Sequence, residues 1–198
     1  MSRRNLLNVT VAAALAMGVT ATASAQAKPA EIEQLISKQA ITELLYKYPR
    51  ALDRLDRELL MSIGHPDAKV QFGKTTFPNW TAYTDWMMKA HATMLGNNHR
   101  ITNILIEVHG DTAVSESTGT ATLLVKQDTG DDYEERWMHS RYLDKWSRRG
   151  GKWALGARQT VMDYRTVKPV SAADVKNMYQ VGARTGRNDP SYALFGEK

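Results

Sequence analysis

Apolar residues after position 28 first recur with helical spacing. One such segment lies between Pro29 and Pro49, and a second helical piece covers about 56–63. A short strand is predicted at 70–73, and Asn79 can cap a third helix that ends near Gly96. The two main apolar stripes consist of Ile32, Leu35, Ile36, Ile41, Leu44, Leu45 and Tyr48, and of Trp80, Tyr83, Met87, His91 and Met94.

Beyond the third helix the apolar positions alternate with polar ones. This period of two predicts strands at 99–108, 112–126, 133–148 and 153–164, separated by turn signals at 109–111, 129–132 and 150–151. Helices followed by a long antiparallel meander predict an α+β domain whose helices pack on one face of a curved sheet. Such a sheet, closed by helices, forms a cone with a central pocket suited to a small molecule.

The two ends of the chain do not resemble the domain between them. Residues 1–27 contain Arg3 and Arg4, an apolar stretch at 6–19 and small-residue cleavage sites around Ala25, as in a secretory signal peptide. The string at 2–7 also resembles a twin-arginine export signal. We therefore expect a periplasmic or secreted protein with a domain at 28–168. Residues 169–198 are polar and basic, which predicts a tail or an oligomer-contact arm.

Composition excludes several classes of protein and site. The chain has 198 residues, of which 42% are hydrophobic and 24% charged, as in ordinary globular proteins. The absence of cysteine excludes disulfides, thiolate nucleophiles and Cys-based zinc sites. The formal charge of +5 falls to +3 without Arg3 and Arg4, and the remaining basic residues are dispersed, which argues against nucleic-acid binding. The apolar stretch at 6–19 is too short to span a membrane, so no membrane partner is expected.

The sequence also lacks several common catalytic motifs. The sequence contains no glycine-rich phosphate loop, no serine nucleophile elbow and no His-Glu-x-x-His pattern. Its 5 histidines lack the spacing of metal ligands. We therefore expect no cofactor and no metal, which leaves acid–base chemistry.

Two positions stand out for such chemistry. Asp53 follows the first helix and is flanked by Leu52 and Leu55, so its carboxylate is expected to be partly buried and to need a partner. A helix cap, or an ion pair with a nearby arginine, would satisfy it without any function. His99 begins the first long strand directly after the third helix, where a structural role is equally open.

Further polar groups are candidates for contacting a ligand. On the strand at 133–148, His139 and Arg141 share a face with Trp137; facing the pocket they would be a second acid–base group and an anion clamp, and facing outward they would be surface or interface residues. A guanidinium on a central strand, as at Arg158, is costly unless it is paired. The residues taken as core or pocket wall, favouring a flat aromatic or polycyclic ligand, are Trp80, Met87 and His91.

Five short motifs follow one another along the chain: Tyr48-x4-Asp53-x2-Asp56, His65-Pro66-Asp67-Ala68, His99-x2-Thr102-Asn103, Arg141-Tyr142-x-Asp144 and Gly151-x-Trp153 with the later Arg158 and Asp163. Their order and spacing resemble the SnoaL-like branch of the nuclear transport factor 2-like superfamily over about 32–164. The resemblance implies an α+β cone with a deep apolar pocket. It is strongest to lyases of the branch: scytalone dehydratase, bile-acid 7α-dehydratase and hexachlorocyclohexane dehydrochlorinase.

Those lyases use a His–Asp dyad, and the matching positions here are Asp53 and His99. The resemblance implies that His99 is the base, that Asp53 orients its ring, and that Tyr48 assists with its phenol. The implied activity is a cofactor-independent, dehydratase-like elimination on a small cyclic or aromatic substrate. Scytalone dehydratase has a second pocket histidine on its second long strand, but 112–126 contains none, so His139 would have to take that role.

Three alternatives remain open at this stage. The same fold carries carbon–carbon lyases that release formaldehyde from lignin-derived diaryl compounds, and the same dyad serves isomerases and cyclases. The same fold also occurs in proteins that bind a small molecule without catalysing a reaction. Relatives are commonly trimers or dimers, so the resemblance also implies a homotrimer or homodimer.

Overall fold

The computed structural model describes residues 29–179 and 189–196, so the predicted leader at 1–27 lies outside the described residues. Helices come first and long strands follow, as the sequence predicts. In chain order the elements are α1 Pro29–Asp53, α2 Arg57–Met61, β1 Gly64–Phe72, β2 Thr75–Phe77, α3 Trp80–Ala92, β3 Gly96–His109, β4 Thr112–Lys126, β5 Tyr133–Arg149, β6 Lys152–Val170, α4 Ala172–Met178 and α5 Pro190–Leu194.

Helix α1 is longer than its sequence pattern indicates, because it continues through Pro49 to Asp53. Proline removes one helical hydrogen bond and usually bends or ends a helix. Here the buried face of α1 continues on both sides of it, from Leu45 to Leu52, so packing outweighs the local cost. Leu55, with φ of 52°, then turns the chain into α2. None of the described helices is long and apolar enough to cross a membrane.

The six strands form one sheet in the order β2-β1-β6-β5-β4-β3. The β3–β6 part is the predicted antiparallel meander, and the predicted α+β class is confirmed. The short strand predicted at 70–73 is in fact a hairpin, β1 with β2, and β1 lies parallel to β6. In β3 the register shifts around Asn103, whose φ is 49°, so that Ile101 and Ile104 both reach the core.

The helices cover one face of the sheet, which we call the inner face. Its positions on β4, β5 and β6 include three neighbours, Ser115, Asp144 and Arg158, which pair across the strands. Gly119 lies on the same face, and the ring of Tyr142 occupies the place where a Cβ atom would project. The core between helices and sheet includes Ile41, Leu45, Leu52, Leu60, Ile63, Val70, Trp80, Tyr83, Trp146 and Leu155.

The carboxyl-terminal residues that the structure describes make specific contacts with the rest of the domain. Strand β6 runs to Val170, and α5 packs against the junction of α1 and α2. Tyr192 of α5 is 2% exposed, and its hydroxyl donates to Asp56 Oδ2 at 2.6 Å. In its described part, the segment predicted to be a tail or an oligomer-contact arm therefore contains two short helices, and one buried aromatic side chain leaves no periodic pattern to detect in the sequence.

Candidate active site

Asp53 and His99 meet where α1 ends and β3 begins. His99 Nδ1 donates to Asp53 Oδ1 at 2.7 Å, and both side chains are 9% exposed. A carboxylate can only accept, so Nδ1 of His99 carries the hydrogen and Nε2 of the neutral ring holds a lone pair. This arrangement gives a base whose tautomer is set by its partner.

The main chain helps to hold the same two elements together. The backbone N–H of His99 donates to both oxygens of Asp53, at 3.2 and 3.0 Å. Close by, the side-chain Nδ2 of Asn97 on β3 donates to the backbone carbonyl of Leu52 on α1 at 3.3 Å. The carboxylate thus accepts hydrogen bonds from the side chain and the backbone of one residue, which fixes the ring relative to α1. Arg57, one of the arginines close to Asp53 in the sequence, forms its ion pair with Asp85, at 2.8 Å.

A second imidazole lies beside the first. His91, in the last turn of α3 and 4% exposed, has its Nε2 3.4 Å from His99 Nε2. Its Nδ1 lies 2.9 Å from the carbonyl oxygen of Met87. The sequence pattern indicates only that His91 faces the interior; its meeting with β3 depends on tertiary packing.

A cluster of aromatic and charged groups occupies the inner face next to α1. Tyr48 and Tyr83 bring their hydroxyl oxygens within 2.5 Å, and Arg158 forms two 2.8 Å hydrogen bonds to the carboxylate of Asp144. The Arg158 guanidinium lies 4.2 Å from the ring centroid of Tyr48 and 4.4 Å from that of Tyr142. The ion pair is fully buried, and its aromatic neighbours add cation–π attraction.

Burial controls the protonation of this cluster. Burial raises the pKa of Tyr48 well above the ordinary value, and the neighbouring Tyr83 raises it further, so the phenol keeps its proton at neutral pH. Burial alone would lower the pKa of Arg158, but the charge and hydrogen bonds of Asp144 outweigh it and raise that pKa. Nη1 of Arg158 is buried without a hydrogen-bond acceptor among the described residues. One polar group of the cluster is therefore available to a ligand.

Residues 33–159 match the SnoaL-like domain. This match covers more than half of the chain. The chain belongs to the SnoaL-like domain family. The resemblance found in the motifs of the sequence is therefore confirmed at the level of the family. No curated protein sequence matches the chain at a significant level.

Solved structures share the fold of this SnoaL-like domain. Hexachlorocyclohexane dehydrochlorinase LinA-type3 from Novosphingobium barchaimii LL02 is 21% identical, with a TM-score of 0.61 over 69% of this chain and 93% of that one. A protein from Novosphingobium aromaticivorans DSM 12444 assigned as a scytalone dehydratase is 19% identical, with a TM-score of 0.60 over 77% of this chain and 94% of its own. At these identities the likeness establishes the nuclear transport factor 2-like cone fold alone.

Two of the candidate ligand contacts in the SnoaL-like domain project from the outer face of the sheet. His139 and Arg141 are on the outer face of β5, because Ser140 between them and Tyr142 after them are buried on the inner face. His139 stacks on Tyr164 with ring centroids 4.1 Å apart, and Arg141 Nε donates to Asp163 at 3.0 Å. Of the two orientations that the sequence left open, His139 and Arg141 therefore have the outward one, and the imidazole beside His99 is that of His91.

The predicted wall residues are buried in the interior. Trp80 is fully buried and its Nε1 donates to the carbonyl of Leu60 at 2.9 Å. Its ring packs on Gly64, where a Cβ atom would lie 2.6 Å away, so Trp80 serves the core. Met87, 4% exposed, places its backbone carbonyl against His91. Among the other polar members, Tyr83 follows from the apolar stripe and Asp144 from the Arg141-Tyr142-x-Asp144 motif, but the pairing of Asp144 with Arg158 across the strands is evident only in the structure.

Residues of both faces of the sheet line a cavity of about 1050 Å³, with Ser115, Asp144 and Arg158 of the inner face among them. Its lining includes Leu105, Glu116, Leu143, Lys145 and Gln159, and it includes neither residue of the dyad. Within residues 29–179 and 189–196, no group of three or more His, Asp or Glu side chains is arranged to hold a metal ion.

Proposed function

We propose that this SnoaL-like protein is a cofactor-independent lyase that performs an acid–base elimination, dehydratase-like, on a small cyclic or aromatic substrate. The observation that carries the proposal is the 2.7 Å contact between His99 Nδ1 and Asp53 Oδ1 in a nearly buried setting. Likeness to a LinA dehydrochlorinase and to a protein assigned as a scytalone dehydratase supports it, since both names denote eliminations.

In the proposed reaction, His99 Nε2 removes a proton from a substrate carbon. The electrons of the broken C–H bond form a double bond, and the leaving group departs with its own bonding pair. Asp53 stabilises the imidazolium that forms, because its carboxylate already accepts from Nδ1. An imidazole base suits neutral pH, since its unperturbed pKa is about 6.5.

Tyr48 and Arg158 are proposed to assist at the oxygen end of the substrate. Tyr48 lies five residues before Asp53 on α1, about 7.5 Å along the axis. Its phenol stays protonated and can donate to a leaving hydroxyl or to a carbonyl that gains charge. Nη1 of Arg158, with no acceptor in the part of the chain that the structure describes, offers a second donor for the same charge.

The test compares the mature protein with Asp53→Asn and His99→Ala on a panel of hydroxylated, halogenated, steroid-like and lignin-dimer compounds, with products followed by mass. We expect turnover by the wild-type protein and a loss of about 10²–10⁴-fold in kcat for His99→Ala. His109→Ala is the matched control, because His109 is an exposed histidine of the same strand.

The mass change separates the alternatives. Loss of water or hydrogen halide establishes the proposed elimination, whereas release of formaldehyde indicates carbon–carbon cleavage. A product of unchanged mass indicates an isomerase or cyclase. Tight binding of a compound by all variants, with no turnover by any of them, would identify a small-molecule binding protein and contradict the proposal.

We also propose that the protein is exported and that it forms a homotrimer or homodimer. The basic and apolar pattern of 1–27 supports export, and amino-terminal sequencing of the mature protein should find cleavage after Ala25 or Ala27. An intact Met1 on cytoplasmic protein would contradict it. Exposed apolar residues on the outer face of the sheet, Leu105 and Val114 among them, support self-association.

A further inference from the structure

The two histidines beside Asp53 meet nitrogen to nitrogen. His91 Nε2 and His99 Nε2 lie 3.4 Å apart, and the ring centroids are 5.1 Å apart with the planes tilted by 40°. The nitrogens are therefore close enough for a hydrogen bond between the rings, provided that one of them carries a proton.

The partners of the other two ring nitrogens determine where the protons are. Met87 offers a carbonyl oxygen to His91 Nδ1 at 2.9 Å, and Asp53 offers a carboxylate to His99 Nδ1 at 2.7 Å. Both oxygens only accept, so both Nδ1 atoms carry hydrogen. In the neutral rings each Nε2 atom therefore holds a lone pair, and the two atoms lie 3.4 Å apart. A single added proton converts this contact into an N–H···N hydrogen bond.

We propose that His91 is a proton-holding residue that acts through His99, and that the pair shares one proton between its two Nε2 atoms. This inference rests on the proposed elimination. His99 Nε2 takes the proton from the substrate carbon, and the proton then passes to His91 Nε2. His99 returns to its neutral form with Nδ1–H still bonded to Asp53. The proton finally leaves His91 for the departing group or for water, so that each turnover restores the pair.

The surroundings favour a positive charge on the pair. His91 lies in the last turn of α3, where the partial negative charge of the helix end attracts a cation. From α1, the Asp53 carboxylate faces the pair through His99. The nearest charged neighbours along the chain, Lys89 on α3 and Arg100 on β3, have exposed side chains.

The first test needs no substrate. In protein labelled with ¹⁵N-histidine, the ring nitrogens are followed by NMR from pH 5 to pH 9, with His109→Gln used for assignment. We expect the Nε2 signals of His91 and His99 to shift together with one midpoint while both Nδ1 atoms stay protonated. Separate midpoints for the two rings, or a hydrogen on Nε2 of neutral His91, would overturn the proposal.

The second test uses a compound that the wild-type protein converts. His91→Gln keeps a hydrogen-bond acceptor of similar size but cannot take a proton, and His91→Ala leaves space for free imidazole. We expect both to lower kcat by roughly 10²-fold with little change in KM, and imidazole to restore activity to His91→Ala alone. Activity of His91→Gln within about twofold of wild type would leave the elimination standing and refute the role of His91.

The two tests fail independently. A shared midpoint in the NMR titration supports the pair even when no compound of the panel is converted, in which case only the proposed elimination is in doubt.

Discussion

Asp53 has two structural roles at once. Its carboxylate accepts from the ring of His99 and from the backbone N–H of the same residue, and so joins the end of α1 to the start of β3. Replacing Asp53 therefore disturbs the ring and the backbone together. His99→Ala keeps the backbone N–H and its bond to the carboxylate. It is the cleaner variant for separating catalysis from folding.

The buried pair of Arg158 and Asp144 allows a prediction at the scale of single residues. Arg158→Met leaves the Asp144 carboxylate fully buried without its partner, which should lower the free energy of unfolding by about 3–5 kcal/mol. The double variant Arg158→Met with Asp144→Leu removes both charges and should recover most of that loss. Urea unfolding of the three proteins measures both effects. Equal stabilities of the single and double variants would show that the pair is not coupled.

At the scale of elements, alternation and spacing identified most helices and strands but not their faces. The prediction for β4, 112–126, agrees with the structure, and Asn79 caps α3 as expected by accepting from Ala82 N at 2.8 Å. Sequence alone left the faces of β5 undecided, because Tyr142 and His139 are both compatible with either side of a strand. In the structure the inner face is identified by the burial of Ser140, Tyr142 and Asp144 and by the pairing of Asp144 with Arg158.

The candidate active site, like the fold, could be predicted only in part from the sequence. The family resemblance located Asp53 and His99, and the structure brings them together. His91 could be recognised as an interior residue from its helical stripe. Its contact with His99 depends on where the end of α3 lies relative to β3, which no local pattern records.

The docking of α5 gives a prediction at this scale. Tyr192→Ala removes a buried ring and a hydrogen bond to Asp56, and should lower the free energy of unfolding by about 2–3 kcal/mol, below the cost for a central aromatic residue because α5 is short. Tyr192→Phe removes only the hydrogen bond and should cost about 1 kcal/mol. Thermal unfolding measures both, with the exposed Leu194→Ala as control. A Tyr192→Ala variant as stable as that control would refute the docking.

At the scale of the whole molecule the two faces of the sheet differ. The helices cover the inner face, where Asp53 and His99 meet, whereas the outer face carries exposed apolar side chains, some of which line the cavity of about 1050 Å³. Leu105 is 70% exposed there, near Glu107, Glu116 and Lys145, which line the same cavity. Apolar residues rimmed by both signs of charge can pair with a copy of themselves.

Self-association through this face can be tested with one substitution. Leu105→Glu places a charge at the centre of the surface and should convert the proposed trimer or dimer to a monomer, as measured by size-exclusion chromatography with light scattering. Leu35→Glu is the matched control, since Leu35 is a 65% exposed leucine on α1. Unchanged mass for Leu105→Glu, or monomeric wild-type protein, would contradict the proposal.

The parallel pairing of β1 with β6 also bears on how the protein is made. Strand β1 is synthesised early, yet its neighbours in the sheet are β2 and the last long strand. At roughly 5–20 residues per second, the about 100 residues between the end of β1 and the end of β6 take about 5–20 s to emerge from a ribosome. Throughout that interval the backbone N–H and C=O groups along one edge of β1 lack their partner strand. The nascent chain therefore exposes a surface that chaperones can bind until its last long strand, β6, has been synthesised.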